Sequence, residues 1–185
     1  MKEIIISLLF IGVLSSCNNN DAVLDTREFV PGEISVGIKS GTSIKETFNF
    51  INLFDHRVDN INSLSFTSDL PSDSLQYILN FLNEKKYTND GKNWFVSGHL
   101  HHKTKQITIS PRLFDIDNLD YQNDWIASMQ KLKLKEDYNI ELNSGIIRFN
   151  VPIGLELGWK NIFEKHKITD WVELNYIGGF GPDIN

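Results

Sequence analysis

Three histidines within four positions form the densest group of potential metal ligands in the sequence: His99, His101 and His102. If the segment is a strand, alternate side chains point the same way, so His99 and His101 can present two imidazoles to one metal ion. A catalytic zinc site takes three protein ligands and keeps one position open. However, Lys103 and Lys105 would repel a cation near the tip of the predicted hairpin. We therefore expect solvated histidines and no metal, and these three residues are the first candidates if the domain is a metal-dependent hydrolase.

Other patterns that suggest chemistry have structural interpretations. Ser128 and Lys131 match the spacing of a lysine-activated serine, but the companion Ser-Asp-Asn and Lys-Thr-Gly elements are missing. The segment 115–120 brings carboxylates together, yet it lacks the glycine and glutamate of a calcium-binding loop, so a helix start is favoured. Trp159 and His166 share a helical face that is expected to look inward. The sequence therefore predicts no catalytic residue and no cofactor.

The lone cysteine, Cys17, ends a segment typical of an export signal. Lys2 precedes a run of about a dozen mostly apolar residues, which is the layout of a secretory signal peptide. This run is shorter than the roughly 20 residues that span a bilayer as a helix. Leu14-Ser15-Ser16-Cys17 resembles the lipobox of bacterial lipoproteins. The resemblance implies cleavage before Cys17 and acylation of that residue, which would anchor the chain to a membrane.

The segment after the cysteine is polar and asparagine-rich, beginning with residues 18–21. Such composition buries too little apolar surface to order itself, so residues 17–29 are predicted to be a flexible tether. The likeness to Bacteroidota-type lipoproteins implies an exported protein held at the cell envelope, on the outer membrane. With Cys17 acylated, no cysteine remains for disulfides, metal binding or thiol catalysis.

Composition favours one folded domain over residues 30–177, followed by a flexible tail at 178–185. The chain has 185 residues, and 11% of them are aromatic, which favours a packed core over disorder. The formal net charge of −6 with scattered lysines lacks the basic footprint of a nucleic-acid binder. We therefore expect no nucleic acid among its partners.

Periodic apolar residues predict an alternation of strands and helices. Predicted strands lie at 34–38, 62–67, 146–151 and 171–177, and a β-hairpin joins 94–101 to 106–111. The first helix should begin at Ser43, since Ser43 and Glu46 have capping-box spacing. A second helix should open at 71–73 and carry an apolar stripe from Leu75 to Leu82. A third, capped by Asp117 or Asn118, and a fourth near 155–166 complete the set.

An internal repeat in the sequence, called the echo below, indicates how these elements combine. Ile34-x-Val36-x-Ile38-x-x-Gly41 has the spacing of Ile147-x-Phe149-x-Val151-x-x-Gly154, and a helix and another strand follow each segment. Two strand-helix-strand units should therefore flank a helix-hairpin-helix insert. The predicted fold class is α+β: a two-layer sandwich of a mainly antiparallel sheet with helices on one face, ferredoxin-like in its βαβ units.

Residues 30–41 are similar to the opening of some subtilase prosegments. Those are small ferredoxin-like modules that inhibit a protease and send a tail into its active site. The resemblance implies a domain that docks onto a protein partner, with residues 178–185 as the docking tail. The leading hypothesis is thus a non-enzymatic binding or accessory lipoprotein of the cell envelope. The alternative is an envelope hydrolase whose site only the fold assembles.

Overall fold

The computed structural model describes residues 28–138 and 144–177. The predicted signal peptide, Cys17, most of the tether and the tail at 178–185 lie outside the described residues. Nine strands and four helices follow in the order β1 (Phe29–Ile38), α1 (Ile44–Ile51), β2 (Arg57–Asn62), β3 (Phe66–Ser68), α2 (Leu75–Asn83), β4 (Ser97–Leu100), β5 (Ile107–Ser110), β6 (Leu113–Phe114), α3 (Leu119–Lys131), β7 (Leu134–Glu136), β8 (Ile146–Asn150), α4 (Glu156–Glu164) and β9 (Thr169–Tyr176) within the described ranges.

The predicted α+β class is confirmed. A five-stranded sheet has the order β6-β2-β8-β1-β9, and its described pairings are all antiparallel. β8 lies between β1 and β2, and β1 lies between β8 and β9, so each unit of the echo is a split β-α-β unit. The four strands of the two units, β2-β8-β1-β9 across the sheet, have the ferredoxin-like order. The two echoed glycines also match in conformation, because Gly41 and Gly154 have φ of 84° and 85° on the way into their helices.

The insert between β2 and β8 forms a second sheet, which the sequence did not predict. This four-stranded antiparallel sheet has the order β4-β5-β3-β7. The predicted hairpin is confirmed as β4 and β5, and β3 and β7 extend the sheet beyond it. Buried apolar residues from both sheets belong to one hydrophobic cluster.

The strand predicted at 62–67 is wrong, because the chain changes sheets there. β2 ends at Asn62, Ser63 takes a left-handed conformation with φ of 57°, and β3 begins at Phe66. β2 itself escaped prediction because a register shift at Asp59 interrupts its alternation. Its buried apolar residues, Val58 and Ile61, are three positions apart instead of two.

Side-chain caps determine where two helices begin. The predicted capping box is present: the Ser43 hydroxyl accepts from the Glu46 N–H at 3.3 Å, and the Glu46 carboxylate accepts from the Ser43 N–H at 3.0 Å. Asn118 caps α3 by accepting from the Asp120 N–H at 2.8 Å. Asp117, the other predicted cap, instead accepts from the Val58 N–H at 3.0 Å and ties the start of α3 to β2.

Aromatic packing holds α1 and α4 against one face of the larger sheet. The Phe149 ring of β8 stacks on Phe163 of α4 at 4.6 Å between centroids and meets Phe50 of α1 edge-on at 5.9 Å. His166 lies 4.6 Å from Phe50 by the same measure, and Trp159 lies 5.8 Å from Phe163. Trp159 and His166 are thus partly buried packing residues, as predicted. Among the described helices, none combines the length and apolar character needed to cross a bilayer.

Candidate binding face

The face of the larger sheet opposite α1 and α4 carries polar and aromatic side chains, and we call it the open face. Side chains alternate across a strand, so the neighbours of buried Val36, Ile147 and Val172 point to this side. Strand register orders its residues in rows that cross the sheet. One row contains Phe114, Asn60, Arg148, Ser35 and Glu173, and the next contains Asn62, Ile146, Gly37 and Trp171. Arg112 immediately precedes β6, at the side of the sheet where Phe114 lies.

Trp171 lies flat over Gly37 at one side of the open face. The two residues are register partners on β9 and β1. A Cβ built at Gly37 would lie only 2.2 Å from Trp171 Cε2 and 2.3 Å from Nε1. The absence of a side chain at Gly37 therefore leaves room for the indole, which forms a partly exposed aromatic platform on the sheet.

A second aromatic group lies at the other side of the open face. The Arg112 guanidinium lies 4.1 Å from the ring centroid of Trp94 and 6.0 Å from that of Phe114. Both are cation–π distances, and the shorter one places the guanidinium over the Trp94 ring. An arginine stacked in this way keeps its N–H donors available for an acidic partner.

The loop before β4 positions Trp94. The Asp90 carboxylate accepts from the backbone N–H groups of Lys92, Asn93 and Trp94 at 2.9, 2.8 and 2.8 Å. These hydrogen bonds lower the pKa of Asp90, so the carboxylate stays ionised and the loop keeps its shape near neutral pH. The loop therefore presents the ring on which Arg112 stacks.

Arg148 lies between the two aromatic groups, in the centre of the sheet. Burial, together with the positive charge of Arg148, lowers the pKa of Arg112, while Asp59 and Asp90 oppose this effect. The two guanidinium groups are therefore close enough to repel each other. Arg148 Nε is 3.9 Å from Glu33 Oε2, which is a loose ion pair.

Several N–H donors on this face have no partner. Trp94 Nε1, Arg112 Nε and Arg148 Nε are each buried and make no hydrogen bond within the part of the chain that the structure describes. A buried donor without a partner costs about 1–3 kcal/mol, so these three donors reduce the stability of the domain locally. The nearby amides are already engaged, since Asn62 donates to Asn60 and Asn60 donates to Asp59.

The candidate histidines lie elsewhere. His99 is on β4, and His101 and His102 follow it at the hairpin tip, where all three side chains are exposed. His101 Nδ1 is 3.1 Å from the Thr104 hydroxyl. Across residues 28–138 and 144–177, no three His, Cys, Asp or Glu side chains are grouped so that they could hold a metal ion.

The remaining sequence candidates have structural roles. The Lys131 ammonium lies 4.1 Å from the Phe81 ring centroid, and Ser128 is buried. Asp115 accepts from Arg57 at 2.8 Å. The sequence singled out none of the open-face residues, because they come from six separated segments. Trp94 and Arg112, for example, are 18 positions apart in sequence.

A groove of about 460 Å³ opens between the start of α1 and the side of α3. Ile126, Met129 and Leu134 contribute apolar surface, but three of its charged side chains have partners: Lys135 pairs with Asp69 at 2.5 Å, and Glu136 accepts from a backbone N–H at 3.1 Å. The open face therefore has the stronger features of a binding site.

Comparison with known proteins adds no further indication of function: no protein-family profile, curated protein or solved structure matches the chain.

Proposed function

We propose that this chain is a lipid-anchored, non-enzymatic binding module of the cell envelope. Cys17 carries the anchor, the outer membrane is its location, and the open face receives a protein partner. The observation that supports this most directly is the strip formed by Trp94, Arg112, Arg148 and Trp171. Tryptophan and arginine are enriched among the residues that dominate the affinity of protein interfaces.

The chemistry of the strip indicates what the partner presents. Arg112 and Arg148 bring two positive charges together on a chain whose formal net charge is −6. Guanidinium groups match carboxylates, whose oxygens accept charge-assisted hydrogen bonds from them. Trp171 and Trp94 add flat apolar surface on either side. The partner therefore carries acidic side chains next to an apolar group.

The test is affinity purification of the full lipidated chain from gently solubilised envelopes. The wild type is compared with Arg148→Ala, Trp171→Ala and a control, Lys45→Ala, whose exposed side chain lies on α1. We expect a stoichiometric partner that Lys45→Ala retains and the two open-face variants lose. Direct binding of the purified partner should then weaken with added salt, since opposite charges attract across the interface.

Two results would refute the proposal. In the first, the partner is retained equally by all variants, so the open face is not where it binds. In the second, mass spectrometry finds Cys17 unmodified in the native protein, so the anchor is absent. A parallel variant that lacks residues 178–185 tests whether the tail contributes to binding, as the prosegment resemblance implies.

A further inference from the structure

The end of the domain at which β1 begins exposes an unusual amount of apolar surface. β1 and β2 run away from this end, while α1, β8 and β9 run towards it and α4 starts there. Of ten exposed large hydrophobic side chains in the described residues, six lie here, each between 57% and 77% exposed: Leu53, Leu119, Ile153, Leu155, Leu157 and Ile177. We call this surface the apolar end.

Two of these residues, Ile153 and Ile177, lie beside the first residues of β1. The Ile177 N–H donates to the Glu28 carbonyl at 2.7 Å, and the Val151 N–H donates to the Gly32 carbonyl at 2.8 Å. A Cβ at Gly32 would lie 3.3 Å from the Ile153 side chain, so Ile153 lies against the first residues of β1. Clustered exposed apolar side chains of this kind mark an interaction site in soluble domains.

The chain itself indicates which partner covers the apolar end. Glu28, where the described domain starts, lies at this end, and only eleven peptide steps separate it from Cys17. Fully extended, those steps reach at most about 40 Å. To turn the opposite end towards the bilayer, the tether would have to run beside β1, whose ten residues extend for about 33 Å. Spanning β1 would keep the tether almost fully extended, which costs conformational entropy. The short tether therefore favours the orientation in which the apolar end faces the lipid.

We propose that the apolar end rests on the lipid bilayer beside the anchor, with Ile153, Leu155 and Leu157 inserted at the level of the headgroups. This inference rests on the proposed lipidation of Cys17. Around Ile153, Leu155 and Leu157 the Glu156 carboxylate is buried. Arg57 pairs with Asp115 at 2.8 Å, and the exposed carboxylates of this end, Glu28, Asp55 and Asp120, stay in water beside a shallow contact. The open face then stands roughly upright on the membrane, accessible to a partner in the same envelope.

The test uses introduced thiols, because an acylated Cys17 leaves no other cysteine to label. Ile153→Cys reports on the apolar end, and Ser40→Cys, just beyond the far end of β1, is the matched control. Each full-length lipidated variant carries an environment-sensitive fluorophore and is reconstituted into phosphatidylethanolamine–phosphatidylglycerol vesicles with a fraction of brominated acyl chains. We expect a blue shift and about twofold stronger quenching at position 153 than at position 40, because only the former enters the interface.

A second variant separates docking from mere tethering. Leu155→Glu with Leu157→Glu, both at exposed positions, should abolish the quenching at position 153 while the anchor keeps the protein on the vesicle. Equal quenching at the two labelled positions, or no effect of the glutamates, would overturn the inference. Mass spectrometry of the same samples distinguishes the two proposals, since acylated Cys17 with an unquenched position 153 refutes only the docking.

Discussion

The contact between Gly37 and Trp171 permits a sharp test of how the open face is built. Replacing Gly37 with alanine adds a methyl group 2.2 Å from Trp171 Cε2. An ordinary carbon–carbon contact is about 3.5–4.0 Å, so the indole must withdraw by at least about 1.3 Å. Overpacking of this kind costs about 1–3 kcal/mol.

The same substitution also brings a gain, because alanine loses less backbone entropy than glycine when a strand forms. That gain is about 0.5–1 kcal/mol, so the net destabilisation of Gly37→Ala should be about 0–2.5 kcal/mol. The control is Gly158→Ala, within α4, where a Cβ meets nothing within 4 Å. That variant should be stabilised by about 0.4–1 kcal/mol. The two substitutions are chemically identical and should shift stability in opposite directions.

Urea unfolding of the single variants and of the pair with Trp171→Ala measures the coupling directly. In the Trp171→Ala background the clash is absent, so Gly37→Ala should become neutral or stabilising. The coupling between positions 37 and 171 should then be about 1–3 kcal/mol. A penalty at Gly37 that persists without the indole would refute the reasoning, and so would a Gly37→Ala variant as stable as Gly158→Ala.

Three further predictions concern capping and pH. Asn118→Ala should cost about 1 kcal/mol in the free energy of unfolding, because α3 loses its cap, and urea unfolding will measure it. The Glu156 carboxylate accepts from the Gly32 N–H at 2.8 Å, and backbone hydrogen bonds lower its pKa. Its contribution to the free energy of unfolding is present above pH 4.5 and is lost as the pH falls through the folded pKa. Glu156→Gln should therefore reduce the fall in stability at acid pH, as measured by unfolding across a pH series. Burial lowers the pKa of His56 and of His166. As the pH falls, these imidazoles are therefore protonated in the unfolded chain before they are protonated in the folded one. The free energy of unfolding should then decrease as the pH drops below about 6.5. Replacing both histidines with glutamine should remove that slope, and an unchanged slope between pH 5 and 7 would contradict the assignment.

Local sequence signals predicted most of the helices and the ferredoxin-like framework. The capping box at Ser43 and the echo from Ile34 to Gly41 depend on neighbouring residues only, so they are readable without the fold. β2 was missed because its bulge breaks the two-residue period, and the short strands β6 and β7 have too few residues to show one. A period cannot be detected in two or three residues.

The sequence by itself determined the α+β class, the two related strand-helix-strand units and the expectation of an anchored, exported chain, because each depends on spacing along one segment. Only the tertiary structure decided that the insert builds its own sheet and that Trp94, Arg112, Arg148 and Trp171 share one face. Residues from distant strands meet through hydrogen-bonding register, and register depends on partners that no local pattern specifies. The same reason explains why a glycine with an ordinary place in a strand proved to be the support for an indole ring.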